Sequence, residues 1–200
     1  MSHALIEIIA HKSSGYGPRT YANALEGDIT IAVAANYKTG GERLTHKAAG
    51  EKFLALPLNM DAIDAARLLY RTLRNRDLKN PVINVAGNGM QTMNRNGFTQ
   101  EFVNIRLLEI LSPVHKHWPI AKVISGGQTG ADMAGGIAAH ALGIPMKLHF
   151  PAGFKQRYAD GVDQQFSKEE ILQQVKNGVS ALKQEARKRR EMAAEETPTP

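Results

Sequence analysis

The chain has 200 residues, 42% of them hydrophobic, which suits one domain of ordinary size with a real core. It has no cysteine, which excludes disulfides, zinc–cysteine sites and thiol catalysis. The net charge of +6 fits an anionic partner, but much of it lies in Arg187-Lys188-Arg189-Arg190 and in residues 67–79, a pattern more typical of a solvated surface than of a nucleic-acid reader.

Residues 4–10 read as a short strand, after which Ser13-Ser-Gly-Tyr-Gly-Pro18 breaks regular structure. A short helix is expected over 19–26. The β-branched run 28–34 reads as a strand that ends in Ala35-Asn-Tyr-Lys-Thr-Gly-Gly41. A helix over 42–49 stops at Gly50, and a strand follows over 53–58. Asn59 or Asp61 caps the next helix, with Ile63, Ala66, Leu69 and Leu73 on one face and Asn80-Pro81 as its stop. Val82-Ile-Asn-Val-Ala86 has the composition of a buried strand and runs into Gly87-Asn-Gly89. Thr99 opens a helix carrying Phe102, Ile105, Leu108 and Leu111, which Pro113 is expected to end.

The most informative stretch is Lys122-Val-Ile-Ser-Gly-Gly-Gln-Thr-Gly-Ala-Asp132. A β-branched strand enters a glycine loop, an Ala-rich helix runs to Leu142, Gly143 stops it, and 144–150 forms another strand. That is a βαβ unit. Glycines where a strand meets a helix N-terminus let a ligand approach the backbone, and the free N–H groups there favour an anion, usually phosphate. The loop matches neither GxGxxG nor GxxxxGK[S/T]. Close to the C-terminus, Ser167-Lys-Glu-Glu170 has the capping-box spacing, and Ile171, Val175, Val179 and Leu182 form a narrow apolar stripe. The stripe fades beyond Arg187, and residues 195–200 are expected to be disordered.

Strands alternating with helices at this spacing imply an α/β domain with a single parallel sheet of about five strands, covered on both faces. Ligands in such sheets bind beyond the carboxyl ends of the strands, where strand order reverses. Three strands here end in unusual loops, Thr39-Gly-Gly41, Gly87-Asn-Gly89 and Gly126-Gly-Gln-Thr-Gly130.

Ile124-Ser-Gly-Gly-Gln-Thr-Gly-Ala-Asp132, with Ala141-Leu-Gly-Ile-Pro145 and Pro151-Ala-Gly153, resembles the start of the molybdenum carrier family of the Rossmann-like SLOG superfamily. Residues 28–58, with Thr39, Gly40, Gly41, Leu44 and Thr45, resemble that family's later segment, and Ile83-Asn-Val-Ala-Gly87 resembles its closing strand. The order is therefore circularly permuted. The resemblance spans roughly residues 19–160 and implies the strand order 146–150, 122–126, 82–87, 29–34, 53–58. It also implies a ligand of the molybdenum-cofactor type or a nucleotide-derived signal. The PGGxGTxxE string of phosphoribohydrolase relatives is absent, and Thr39-Gly-Gly-Glu-Arg43 is at best a relic of it.

The expected layout is a permuted Rossmann-like ligand-binding domain over 1–165, a helix over 166–194 and a tail over 195–200. The expected function is binding of a phosphorylated, nucleotide-like small molecule by Gly126, Gly127, Gln128, Thr129, Gly130, Asp132, Gly87, Asn88, Gly89, Thr39, Gly40, Gly41, Lys155 and Arg157. Nucleotide N-glycosidic hydrolysis is the enzymatic alternative, and DNA-processing-type nucleic-acid binding a further one. Asp132 either complements the helix dipole and caps loop N–H groups or bonds a ribose or pterin-like group. Asn84 in a buried strand needs a hydrogen-bond partner. Glu42 suits the helix dipole and is the candidate general acid or base. His115 and His117 fall in a loop before a strand, so no metal is expected there. Met-Ser-His-Ala at the N-terminus lacks the regions of a signal peptide and no apolar run matches a membrane span, so a cytosolic protein is expected, with homo-oligomerisation open.

Overall fold

The computed structural model describes residues 5–195. A six-stranded, all-parallel sheet is formed by β1 (Ile6–Ala10), β2 (Ile29–Ala34), β3 (Phe53–Pro57), β4 (Val82–Gly87), β5 (Lys122–Ser125) and β6 (Met146–Phe150). The helices are α1 (Tyr16–Glu26), α2 (Gly40–Ala49), α3 (Ala62–Asn75), α4 (Met90–Arg95), α5 (Gln100–His117), α6 (Ala131–Ala141) and α7 (Lys168–Glu195). A two-residue-per-strand hairpin, β7 (Gln156–Arg157) and β8 (Asp163–Gln164), sits between β6 and α7. This is a Rossmann-like α/β fold.

The strand order is β1-β6-β5-β4-β2-β3. Its last five strands are the order expected from the sequence, and β1 adds an edge beyond β6. Right-handed crossovers decide which face each helix covers. The steps β1 to β2 and β2 to β3 run one way along the sheet and place α1 beside α2 on one face. The steps β3 to β4, β4 to β5 and β5 to β6 run the other way and place α3, α5 and α6 on the opposite face. The reversal falls between β2 and β4, whose registers pair Ile29 with Ile83 and Val33 with Gly87. Both strands are buried on both faces, which is why they read as continuous apolar runs rather than alternating ones.

α7 begins with the expected capping box, Ser167 N–H donating to Glu170 Oε2 (2.7 Å) and Glu170 N–H to Ser167 Oγ (3.1 Å). Ile171, Val175, Val179 and Leu182 are all buried, against α6, α5 and β1 of the same chain. α7 lies so close to α6 that a Cβ added at Gly178 would stand 2.4 Å from Ile137 Cδ1. The stripe is thus used within the chain. The expectation of a disordered tail lies outside the described residues from 196 on, and Glu195 is the last residue of α7.

Three local expectations are corrected. α5 does not end at Pro113 but runs through it to His117. Pro113 and Glu109 both lie on the exposed face of the helix, while buried Ile110, Leu111 and Val114 hold the last turns in place. His115 and His117 consequently lie in that helix's last turn rather than in a loop, and His115 Nδ1 accepts the Ile120 N–H (3.0 Å). α1 starts at Tyr16, inside the stretch expected to break structure; Pro18 is tolerated because first-turn N–H groups have no intrahelical acceptor. Among the described residues no group of three or more His, Asp or Glu is placed to hold a metal ion, and no helix is long and apolar enough to cross a membrane.

Candidate functional site

At the carboxyl edge of the sheet, over the reversal between β2 and β4, lies a cavity of about 430 Å³. Its floor is Asn84 to Gly89 from β4 and the turn after it. One wall is the start of α2, from Thr39 to Glu42 with Leu44 and Thr45. The other walls are Tyr16, Arg19, Thr20 and Asn23 of α1, then Gly126, Gln128 and Asp132 of the β5–α6 loop, with Gln91, Thr92 and Arg157 at the rim. Ten of the expected residues therefore line one space: Thr39, Gly40, Gly41, Gly87, Asn88, Gly89, Gly126, Gln128, Asp132 and Arg157. Gly127, Thr129, Gly130 and Lys155 are not on its wall.

The β5–α6 loop has largely used up its donors. Gly127 N–H reaches Ser125 Oγ (3.3 Å), Thr129 N–H reaches Gln128 Oε1 (3.1 Å), Gly130 N–H reaches Gln100 Oε1 (2.7 Å) and Ala131 N–H reaches the Asn88 carbonyl (3.1 Å). The N–H groups of Gln128 and Gly126 act on the Asp132 carboxylate. Glycine is nevertheless required. A Cβ on Gly126 would stand 1.3 Å from an Arg19 guanidinium nitrogen and 2.2 Å from Asp132 Oδ2. Gly127, at φ +67°, would drive a Cβ into the Phe150 ring, 2.2 Å away. These glycines let an ion pair and an aromatic ring pack against the loop, so bulk at Gly127 meets the core rather than the cavity.

Asp132 pairs with Arg19 (3.2 Å), and both side chains are 9% exposed. Burial pushes the Asp132 carboxyl up from the usual carboxylate range, while Arg19 and the loop N–H groups pull it down. Gln128 and Thr129 tie the β7–β8 hairpin to the loop: Gln128 Oε1 accepts the Arg157 N–H, and Thr129 Oγ1 donates to the Arg157 carbonyl. Arg157 and Lys155 both pair with Asp163, and both stand over the Tyr16 ring, as does Arg19. Tyr16 OH donates to Asp163 Oδ1 (2.9 Å).

The start of α2 is the opposite of the glycine loop. Thr39 caps it by accepting the Glu42 N–H (3.2 Å), and its carbonyl takes the Arg43 N–H. Gly40 and Gly41 N–H find no acceptor among the described residues, and a Cβ at either would meet nothing within 4 Å. Two free amides at the positive end of a ten-residue helix thus open onto the cavity.

Glu42 is 3% exposed. Asn88 Nδ2 donates to its Oε1 (3.2 Å), while its Oε2 has no partner among the described residues. Asn88 is itself fixed, with Oδ1 accepting Ala35 and Asn36 N–H and Nδ2 also donating to the Asn36 carbonyl. Burial, then the nearby Asp132 charge, pushes the Glu42 carboxyl up to about 7, against the Asn88 hydrogen bond. Asn84 meets its need inside the sheet, donating to Thr30 Oγ1 (3.1 Å).

The α1 residues had no sequence signal of their own. Tyr16, Arg19, Thr20 and Asn23 form a polar helix face that ordinarily meets solvent; only the long β1-to-β2 crossover turns it inward. Searches for similar proteins match no family model, no curated protein and no solved structure.

Proposed function

We propose that this cavity binds a phosphorylated, nucleotide-like small molecule, a molybdenum-cofactor-type compound or a nucleotide-derived signal being the candidates. The observation that carries it is the open start of α2, where Gly40 and Gly41 present two unused N–H groups and no side chain to a cavity at the strand-order reversal. The anion site of this proposal is therefore the β2–α2 loop and not the β5–α6 loop, whose amides already have acceptors. The resemblance of Ile124 to Asp132 and of Thr39 to Thr45 to the molybdenum carrier family of the SLOG superfamily supports the same ligand class. Native mass spectrometry of the purified protein, followed by thermal shift against nucleoside monophosphates, tests it. A retained phosphorylated compound, or a stabilising monophosphate, is the expected result; inertness to all of them argues against it.

A second reading is cleavage of a nucleotide N-glycosidic bond, and Glu42 favours it. A carboxyl poised at about 7 in a cavity has the acidity of a general acid or base working at neutral pH. Incubation with nucleoside monophosphates separates the two readings. Release of free base and ribose phosphate, lost in Glu42→Gln, marks catalysis; intact ligand marks binding.

A further inference from the structure

Thr39 and Glu42 have the spacing of a capping box, in which the glutamate side chain would return to the N-cap N–H. Only half of that box forms. Thr39 accepts the Glu42 N–H, but the Glu42 side chain turns away to Asn88 and the cavity. Asn88 is held on three sides by the β2–α2 loop, so Glu42 is held as well. The result is a residue 3% exposed with one carboxylate oxygen lacking a donor among the described residues. Buried polar atoms are nearly always satisfied, and an exception on a cavity wall calls for a donor that arrives from outside.

We propose that the missing donor is a hydroxyl of the ligand's sugar, so that Glu42 makes the cavity selective for ribose phosphates over their deoxy counterparts. This rests on the phosphate-binding proposal above. Glu42 follows directly after the Gly40 and Gly41 amides that would hold the phosphate, so the group it meets lies a few bonds from that phosphate. In a sugar phosphate those atoms are the ring hydroxyls, whereas a base edge lies farther out. The neighbouring charges point the same way. Asp132 is the like charge beside Glu42, and Arg19 pairs with Asp132 through Nη1 (3.2 Å) rather than with Glu42. A hydroxyl can donate to the ionised acid or accept from the neutral one, so it satisfies Glu42 in either state.

The test is calorimetric titration with ribose 5-phosphate, 2-deoxyribose 5-phosphate and 3-deoxyribose 5-phosphate, against the unmodified chain and Glu42→Ala, with inorganic phosphate as a fourth probe. The expected result is that one deoxy compound binds roughly ten- to a hundredfold more weakly than ribose 5-phosphate, the range for leaving a buried hydrogen-bonding group unmet. In Glu42→Ala, which removes both the acceptor and the donor, that preference should fall below about threefold, with the melting transition intact. Equal binding of all three sugar phosphates overturns the sugar assignment while leaving the phosphate site standing. Preference retained in Glu42→Ala overturns the role of Glu42. If neither inorganic phosphate nor any sugar phosphate binds, the phosphate-binding proposal and this one fall together.

Discussion

Glu42 and Asp132 are both buried acids lining the cavity, and only Asp132 has a countercharge. A Glu42 carboxyl raised from the usual glutamate range to about 7 means that folding opposes its ionisation. Below the unfolded pKa both states are protonated and there is no penalty. As pH rises through the folded value the native state loses about 3 kcal/mol relative to a residue that cannot ionise. Glu42→Gln should therefore leave stability unchanged near pH 4 and raise it increasingly up to about pH 7, read by urea unfolding across that range. A gain that does not grow with pH would mean that Glu42 is not held neutral. Asp132→Asn should instead lower stability, because it leaves the Arg19 guanidinium buried and unpaired; a loss of about 3–5 kcal/mol is expected for breaking such a pair, visible in the same unfolding curves. Gly127→Val should cost ~2–4 kcal/mol through Phe150 and its positive φ, with a folded fraction that still binds ligand.

At the scale of elements, α6 and α7 carry much of the packing. α6 is buried along nearly its whole length, between the sheet on one side and α5 and α7 on the other. Truncating Ile171 to Ala should cost about 2–4 kcal/mol in chemical denaturation, since this α7 side chain is fully buried. Deleting residues 167–200 should expose Ile137 and its neighbours and give aggregation; a monodisperse product with unchanged melting temperature would contradict this packing. The main strands and helices were legible because their signals are local: β-branched runs, Asp61, Thr99 and Ser167 at N-caps, and glycines at helix ends. α4 and the β7–β8 hairpin were not. Met90–Arg95 is too short to show a period, and two-residue strands have none. Pro113 misled because a proline on an exposed face of a well-packed helix costs less than the burial of Val114 and its neighbours returns.

At the scale of the molecule, the order of the last five strands is the one the permuted family resemblance implied, and with it come the three loops over one crevice. The chemistry of the crevice was less legible. Gly126 to Gly130 looked like an anion loop, yet its amides serve Ser125, Gln128, Gln100 and Asp132, all partners set by tertiary contact. Arg19, 113 positions from Asp132, carries no sign in the sequence of the ion pair it makes. The claim at the centre of this structure is that the ligand's phosphate sits on the free amides that open α2. Gly41→Leu tests it most directly, because a side chain there meets open space, leaves the fold unstrained and improves helix propensity by roughly 0.5–1 kcal/mol while filling the anion's place. Titration of ribose 5-phosphate, with melting curves alongside, should show binding to the unmodified chain and at least about tenfold weaker binding to Gly41→Leu at equal or higher melting temperature. Undiminished binding by folded Gly41→Leu would contradict the placement of the phosphate at α2.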